Sequence, residues 1–165
     1  MNALLDFLQG HMKDRGLMAD LRCALIENKR HRAWLILAPF GGIGEDWQAR
    51  TVQTVAGLFA THPLVINDGD FGDTCRRLLS DDERQTLNEA AQVGPLSRRF
   101  QHLLAANDEE IFDRIMRLAL RAKSAELPIN YNRLYGDLLE WRYRPQNVRT
   151  RWAKSFWAPR VEEPE

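Results

Sequence analysis

The sequence predicts an all-α chain of two small helical bundles packed together, and three observations carry that expectation. Apolar residues recur at helical spacing along most of the chain. Capping residues stand ahead of several of these runs. No segment sustains the period-two alternation of a half-buried strand. Seven Pro and ten Gly among 165 residues leave room for uninterrupted helices, and an apolar content of 44% suffices for a core.

Taken in order, Leu4, Leu5 and Leu8 form the first apolar stripe. Met1 to Arg15 carries Asp6 inside that stretch and lacks a small-residue cleavage pattern, so it reads as a helix rather than an export signal. Ala33–Phe40 (AWLILAPF) is a continuous apolar run that Pro39 interrupts. With no partner strand in view, it reads as a buried helix or an irregular core segment. Gly41-Gly42-Ile43-Gly44 then makes a turn before a helix that starts near Asp46, and Pro63–Asp73, rich in Gly and Asp, reads as a loop.

Ser80-Asp81-Asp82-Glu83 sets a capping hydroxyl three residues before a Glu. This predicts a helix running to Val93 and ending at Gly94-Pro95. Asn107 followed by Asp108, Glu109 and Glu110 places three acids at the positive end of a helix dipole, for a helix over 108–124 whose apolar face is Ile111, Ile115, Leu118 and Ala122. Leu134, Leu138 and Trp141 mark another helix. Val148, Trp152 and Phe156 mark the last, which opens at Pro145. The two bundles are expected to comprise residues 1–85 and 86–165 and to meet around 85–96, the second carrying an acidic tail.

Several kinds of chemistry are not supported. No apolar run approaches the roughly 20 residues of a membrane span. Cys23 and Cys75 are far apart, as expected of packed thiols in a reducing cytoplasm. Asp70-Phe71-Gly72 matches a kinase tripeptide but lacks the glycine-rich loop and the other kinase segments. Asp68, Asp70 and Asp73 hint at a calcium loop, yet Leu79 stands where a bidentate Glu is required. Gly41–Gly44 lacks the last glycine of a dinucleotide fingerprint. His11, His31, His62 and His102 are scattered. The residues assemble no nucleophile, base and orienting group, so the expectation is a protein without catalytic site, metal or cofactor.

The zero net charge conceals a dipole along the chain. Residues 94–160 hold 13 Lys/Arg against 7 Asp/Glu, whereas residues 67–93 hold 3 against 7 and Val161–Glu165 adds three Glu. A basic half is the electrostatic footprint of a protein that meets a polyanion. Arg114, Arg117 and Arg121 fall at i, i+3, i+7 on one helix, as a stripe set off from its apolar face. Like charges at this spacing repel, and a phosphate backbone would offset the repulsion. Further clusters are Arg98-Arg99, Arg76-Arg77, Lys29-Arg30, Arg142 with Arg144, and Arg149 with Arg151. Arg also far outnumbers Lys, and Arg is suited to bidentate phosphate contact. Trp141, Tyr143, Trp152, Phe156 and Trp157 are interleaved with these; their spacing places Trp141 and Trp152 in the core and leaves Tyr143 and Trp157 open for stacking.

The chain resembles the CasB family, the small subunit of the type I-E CRISPR Cascade effector. The resemblance is carried by Arg76-Arg77-Leu78, by the run from Arg98 to Asn107, by Arg114-Ile115-Met116-Arg117-Leu118, by the run from Asn132 to Trp141, and by Arg149-Thr150-Arg151-Trp152-Ala153. Leu21-Arg22-Cys23-Ala24 and Ala38-Pro39-Phe40-Gly41 extend it over roughly residues 3–157. It implies a cytoplasmic, non-catalytic subunit present as a pair in an RNA-guided complex. Its implied partners are guide RNA, target DNA, other Cascade subunits and a second copy of itself. Basic positions matching the family are Arg22, Arg50, Arg76, Arg77, Arg99, Arg117 and Arg144. Cys23 and Asp108 depart from it, each standing where a basic residue is common. From a different class, a helical protein–protein scaffold with surface ion pairs is the alternative, and salt-dependent nucleic-acid binding separates the two.

Overall fold

The computed structural model describes residues 2–88 and 93–158, and helices account for most of them. The α-helices are α1 (Ala3–Gly10), α2 (Arg15–Arg22), α3 (His31–Leu37), α4 (Trp47–Thr61), α5 (Phe71–Arg77), α6 (Asp81–Asn88), α7 (Pro95–Leu104), α8 (Ile111–Ser124), α9 (Tyr131–Trp141) and α10 (Pro145–Trp157). Among the described residues the only β pairing is an isolated parallel bridge between Val65 and Ile129.

Most of these helices start where a side chain can satisfy an orphan backbone N–H. Asn2 accepts from the Leu5 N–H, Asp46 from Ala49, Asn130 from Arg133, and the Ser80 hydroxyl from Glu83. Pro95 and Pro145 open α7 and α10, where a missing N–H costs nothing.

Three boundaries differ from the sequence expectation. The loop before α5 is shorter, because Asp70 and Asp73 form a reciprocal capping box and Phe71 already begins a helix. The start of α8 moves to Ile111, because the Asn107 side chain accepts from the Glu109 and Glu110 N–H groups and holds 108–110 in a preceding turn. The apolar run 33–40 divides into the end of α3 and a 3₁₀ turn, Ala38–Phe40, and Leu35 is 87% exposed. For the helix expected to reach Val93, residues 89–92 lie outside the described residues, as does the acidic tail.

Helix α4 is the axis of the molecule. Its residues 51–60 are all buried, and it packs against α1, α2, α3, α8 and α9. Small side chains permit such all-round contact: a Cβ at Gly57 would lie 2.7 Å from Leu25 Cγ. The Gln53 amide donates to the carbonyls of Gly42 and Gly44, both at 2.9 Å, and so anchors the turn before α4. Gly41 and Gly44 both have positive φ in that turn.

The core is continuous across residue 85. Phe59 on α4 meets Tyr131 on α9, and Phe71 on α5 meets Trp152 on α10, each at 5.6 Å between ring centroids. The Tyr131 hydroxyl donates to the carbonyls of Leu58 and His62, and burial pushes its ionisation far up, so it stays a donor.

One buried acid organises α9 and α10. Asp137, its side chain 3% exposed, accepts from Trp152 Nε1 and from an Arg151 guanidinium N–H, both at 2.8 Å. Arg151 also grips Glu140 at 2.5 and 3.2 Å, and this hydrogen bonding holds the Glu140 carboxyl below its usual range. Asp137→Ala is expected to lower the unfolding free energy by about 3 kcal/mol in a urea titration, since it strands the indole N–H and half of a guanidinium pair together. Asp137→Asn keeps an acceptor and is expected to cost less.

Candidate nucleic-acid interface

Two helices bring the largest group of sequence-identified arginines together. Pro95 starts α7 so that Leu96, Phe100 and Leu103 face the core, which turns Arg99 and His102 outward. On α8, Ile111, Ile115, Leu118 and Ala122 are buried, which directs Arg114, Arg117 and Arg121 along the neighbouring face. Between the two helices lies a groove of about 560 Å³ lined by Arg99, His102, Arg114, Arg117, Arg121 and Ser124. Leu118 and Leu120 also line it.

The four guanidinium groups are not equivalent. Arg114 pairs with Glu110 at 3.4 Å and Arg117 with Asp113 at 3.0 Å, both one helical turn back. Arg99 and Arg121 have no ion pair among the described residues. An exposed pair at this spacing is worth only about 0.3–0.5 kcal/mol, so all four groups can be recruited by a stronger anion.

The other candidates lie elsewhere. Arg98 is exposed on α7 but does not line the groove. Arg30 and Arg50 share a second opening, of about 290 Å³, with Glu27, Glu109 and Asp113. Arg50 lies 5.2 Å over the Phe112 ring, and burial, with Arg30 nearby, draws its pKa down. Arg22 donates to the Ala60 carbonyl at 3.3 Å, and Arg76 donates to that of Phe156. Lys29, Arg142 and Arg144 are exposed, with Arg142 5.8 Å over Tyr143. Arg77 borders a polar opening of about 750 Å³ that mixes Asp68, Asp70 and Asp73 with Arg133, Arg151 and Lys154.

Arg149 and Arg151, a basic cluster in sequence, are engaged internally. Arg149 donates to the carbonyls of Leu104 and Ala106 and lies 4.8 Å over Trp141, while Arg151 serves Asp137 and Glu140. Sequence reasoning missed His102 as a groove residue; its position three residues after Arg99 on one helix was the available signal.

Asp70 shows how the acids of the third opening are used. Its carboxylate caps α5 and accepts from Ser155 Oγ at 2.9 Å, and burial pushes its pKa above the ordinary 3.8. A raised carboxyl pKa favours the fold below pH 3.8, and that contribution is lost as pH rises through the native value. The Asp70→Asn variant is therefore expected to lose the fall in stability above pH 3.8 and to be at least as stable as wild type at pH 7, as measured by thermal unfolding across pH.

Among the described residues no group of His, Cys, Asp and Glu is arranged to hold a metal ion, and no helix is long and apolar enough to cross a membrane. Fold and groove together define an all-helical protein with a guanidinium-lined cleft between two helices. The family of the CRISPR-associated protein Cse2 (CRISPR_cse2) matches residues 17–157, so the chain belongs to the Cse2/CasB family of CRISPR Cascade subunits.

Solved structures show a similar fold. The crystal structure of CasB from Thermus thermophilus is 21% identical with a TM-score of 0.69, the match covering 95% of this chain and 99% of that one. CasB from Thermobifida fusca is 19% identical with a TM-score of 0.65, covering 94% and 93%. M. ruber CasB is 18% identical with a TM-score of 0.66, covering 96% and 95%. No curated protein sequence matches the chain.

Proposed function

We propose that this protein is a non-catalytic, nucleic-acid-binding small subunit of a type I-E Cascade complex, stabilising the guide RNA–target DNA hybrid and the opened DNA strands through arginine contacts to backbone. The observation that carries the reading is the convergence of Arg99, Arg114, Arg117 and Arg121, from two helices, on one groove. Guanidinium groups in a row suit phosphates, and contacts to a phosphate backbone position a strand without reading its sequence. Exchange of a DNA duplex for a guide hybrid is nearly balanced in energy, so a few backbone contacts can tip it.

The remaining basic candidates, Arg22, Lys29, Arg30, Arg50, Arg76, Arg77, Arg98, Arg142 and Arg144, belong to the same proposal as peripheral contacts. So do the division into bundles 1–85 and 86–165, a second copy of the chain as neighbour, and a cytoplasmic location. The scaffold reading draws its support from Leu35, an apolar side chain exposed on α3. Titrating the purified protein with two unrelated single-stranded DNAs across a salt series separates the two. The nucleic-acid reading expects similar affinities on both strands and a linear fall of log affinity with log salt; the scaffold reading expects no binding to either.

A further inference from the structure

We propose that Glu110 and Asp113 act as built-in competing anions that limit how tightly the arginine groove holds a nucleic-acid backbone, an inference that rests on the groove being a phosphate site. Glu110 occupies Arg114 and Asp113 occupies Arg117, so two of the groove's four guanidinium groups are already neutralised in the free protein. A phosphate reaching either arginine displaces a carboxylate and then meets its repulsion from one helical turn away. Arg99 and Arg121, without such partners among the described residues, take a phosphate with no exchange.

Asp113 has a second placement that a helix-stabilising pair does not need. It also lines the opening that holds Arg30 and Arg50, beside Glu109. Glu109 and Glu110, in the turn before α8, and Asp113, in its first turn, thus form an acidic ridge beside two arginine sites, and a strand following one of them is repelled from crossing to the other. All three acids are exposed, and Arg117 remains 71% exposed in its pair, so the contacts are weak enough to exchange. For a subunit that works inside a larger assembly, the consequence is restraint. The free chain binds stray nucleic acid weakly, and the full set of arginines engages only where the assembly already presents a backbone.

The plain competitor is that these acids serve α8 alone, through its dipole and its i,i+4 pairs. The Glu110→Gln/Asp113→Asn double variant separates the two, with Asp6→Asn/Asp20→Asn as a control of equal charge change at exposed positions lining neither opening. Single-stranded DNA of mixed sequence is the probe, in a salt series followed by fluorescence anisotropy. The ridge variant is expected to bind roughly five- to tenfold tighter at about 50 mM salt, with a steeper salt slope and the advantage shrinking by about 500 mM. The control is expected to gain little. A ridge variant that binds like wild type, or a control that gains as much, overturns the inference and leaves the phosphate groove standing. If wild type and both variants fail to bind at any salt, the phosphate reading of the groove itself fails, and the inference falls with it.

Discussion

Replacing Arg99 and Arg121 together with alanine is expected to weaken binding to single-stranded nucleic acid roughly thirtyfold near 0.1 M salt, at about 1 kcal/mol for each phosphate no longer held. The slope of log affinity against log salt should become shallower by about 0.7 for each phosphate that the protein ceases to neutralise. Both effects are expected to be the same on unrelated sequences, because phosphate contacts position a strand and carry no base information. The Arg114→Ala/Arg117→Ala pair is expected to lose less, since each of those side chains gives up a carboxylate before it meets a phosphate. None of these side chains is buried, so the variants are expected to unfold within about 0.5 kcal/mol of wild type. Equal losses for the two pairs would show that the ion pairs within α8 have no bearing on binding.

The largest effect on stability is expected at Gly72. Helices α5 and α10 approach so closely there that a Cβ would lie 2.3 Å from the Trp152 carbonyl oxygen and 2.9 Å from the Trp152 Cα. The obstacle is backbone, which cannot swing aside as a side chain can. Gly72→Ala must therefore push α5 from α10 and disturb the packing of Phe71 on Trp152, at a cost of about 3 kcal/mol or more. Gly136, in α9, supplies the contrast: nothing beyond its chain neighbours and its own helix backbone lies within 4 Å of an added Cβ, so Gly136→Ala is expected to stabilise by about 0.5–1 kcal/mol. Urea midpoints of the two variants check both signs. A Gly72→Ala protein as stable as wild type would mean that α5 and α10 are not packed as described.

Helical identity was legible because the signals are local. The stripe Ile111–Ile115–Leu118–Ala122 alone decides which way Arg114, Arg117 and Arg121 face, and those directions hold in the structure. Less legible was whatever depends on a distant partner. That α7 places Arg99 and His102 opposite the α8 stripe is a matter of helix packing, which spacing within one helix does not encode. Arg149 and Arg151 misled for the same reason: their partners, the carbonyls of Leu104 and Ala106 and the carboxylates of Asp137 and Glu140, lie 11 to 45 residues away. A clue was present in Asp137, an acid next to the apolar stripe Leu134–Leu138–Trp141, which needs a donor once it is buried. At α5 the Gly and Asp content suggested a loop, although Asp70 and Asp73 stand three apart, as a capping box requires. The pairs Glu110–Arg114 and Asp113–Arg117 stand at i,i+4 and were readable from spacing alone.

The measurement that bears most directly on the proposed role is target opening by a reconstituted complex carrying either the wild-type subunit or the Arg99→Ala/Arg121→Ala variant. Permanganate reactivity of the displaced strand reports opening, and incorporation of the subunit with retention of guide RNA is measured in the same preparations. The proposed role predicts normal incorporation and normal guide retention, with opening reduced and the deficit narrowing as salt is raised, because the contacts that the variant lacks are the ones that salt weakens. Normal opening by a complex that has incorporated the variant would contradict it, and would leave the arginine groove as a solvated helix face.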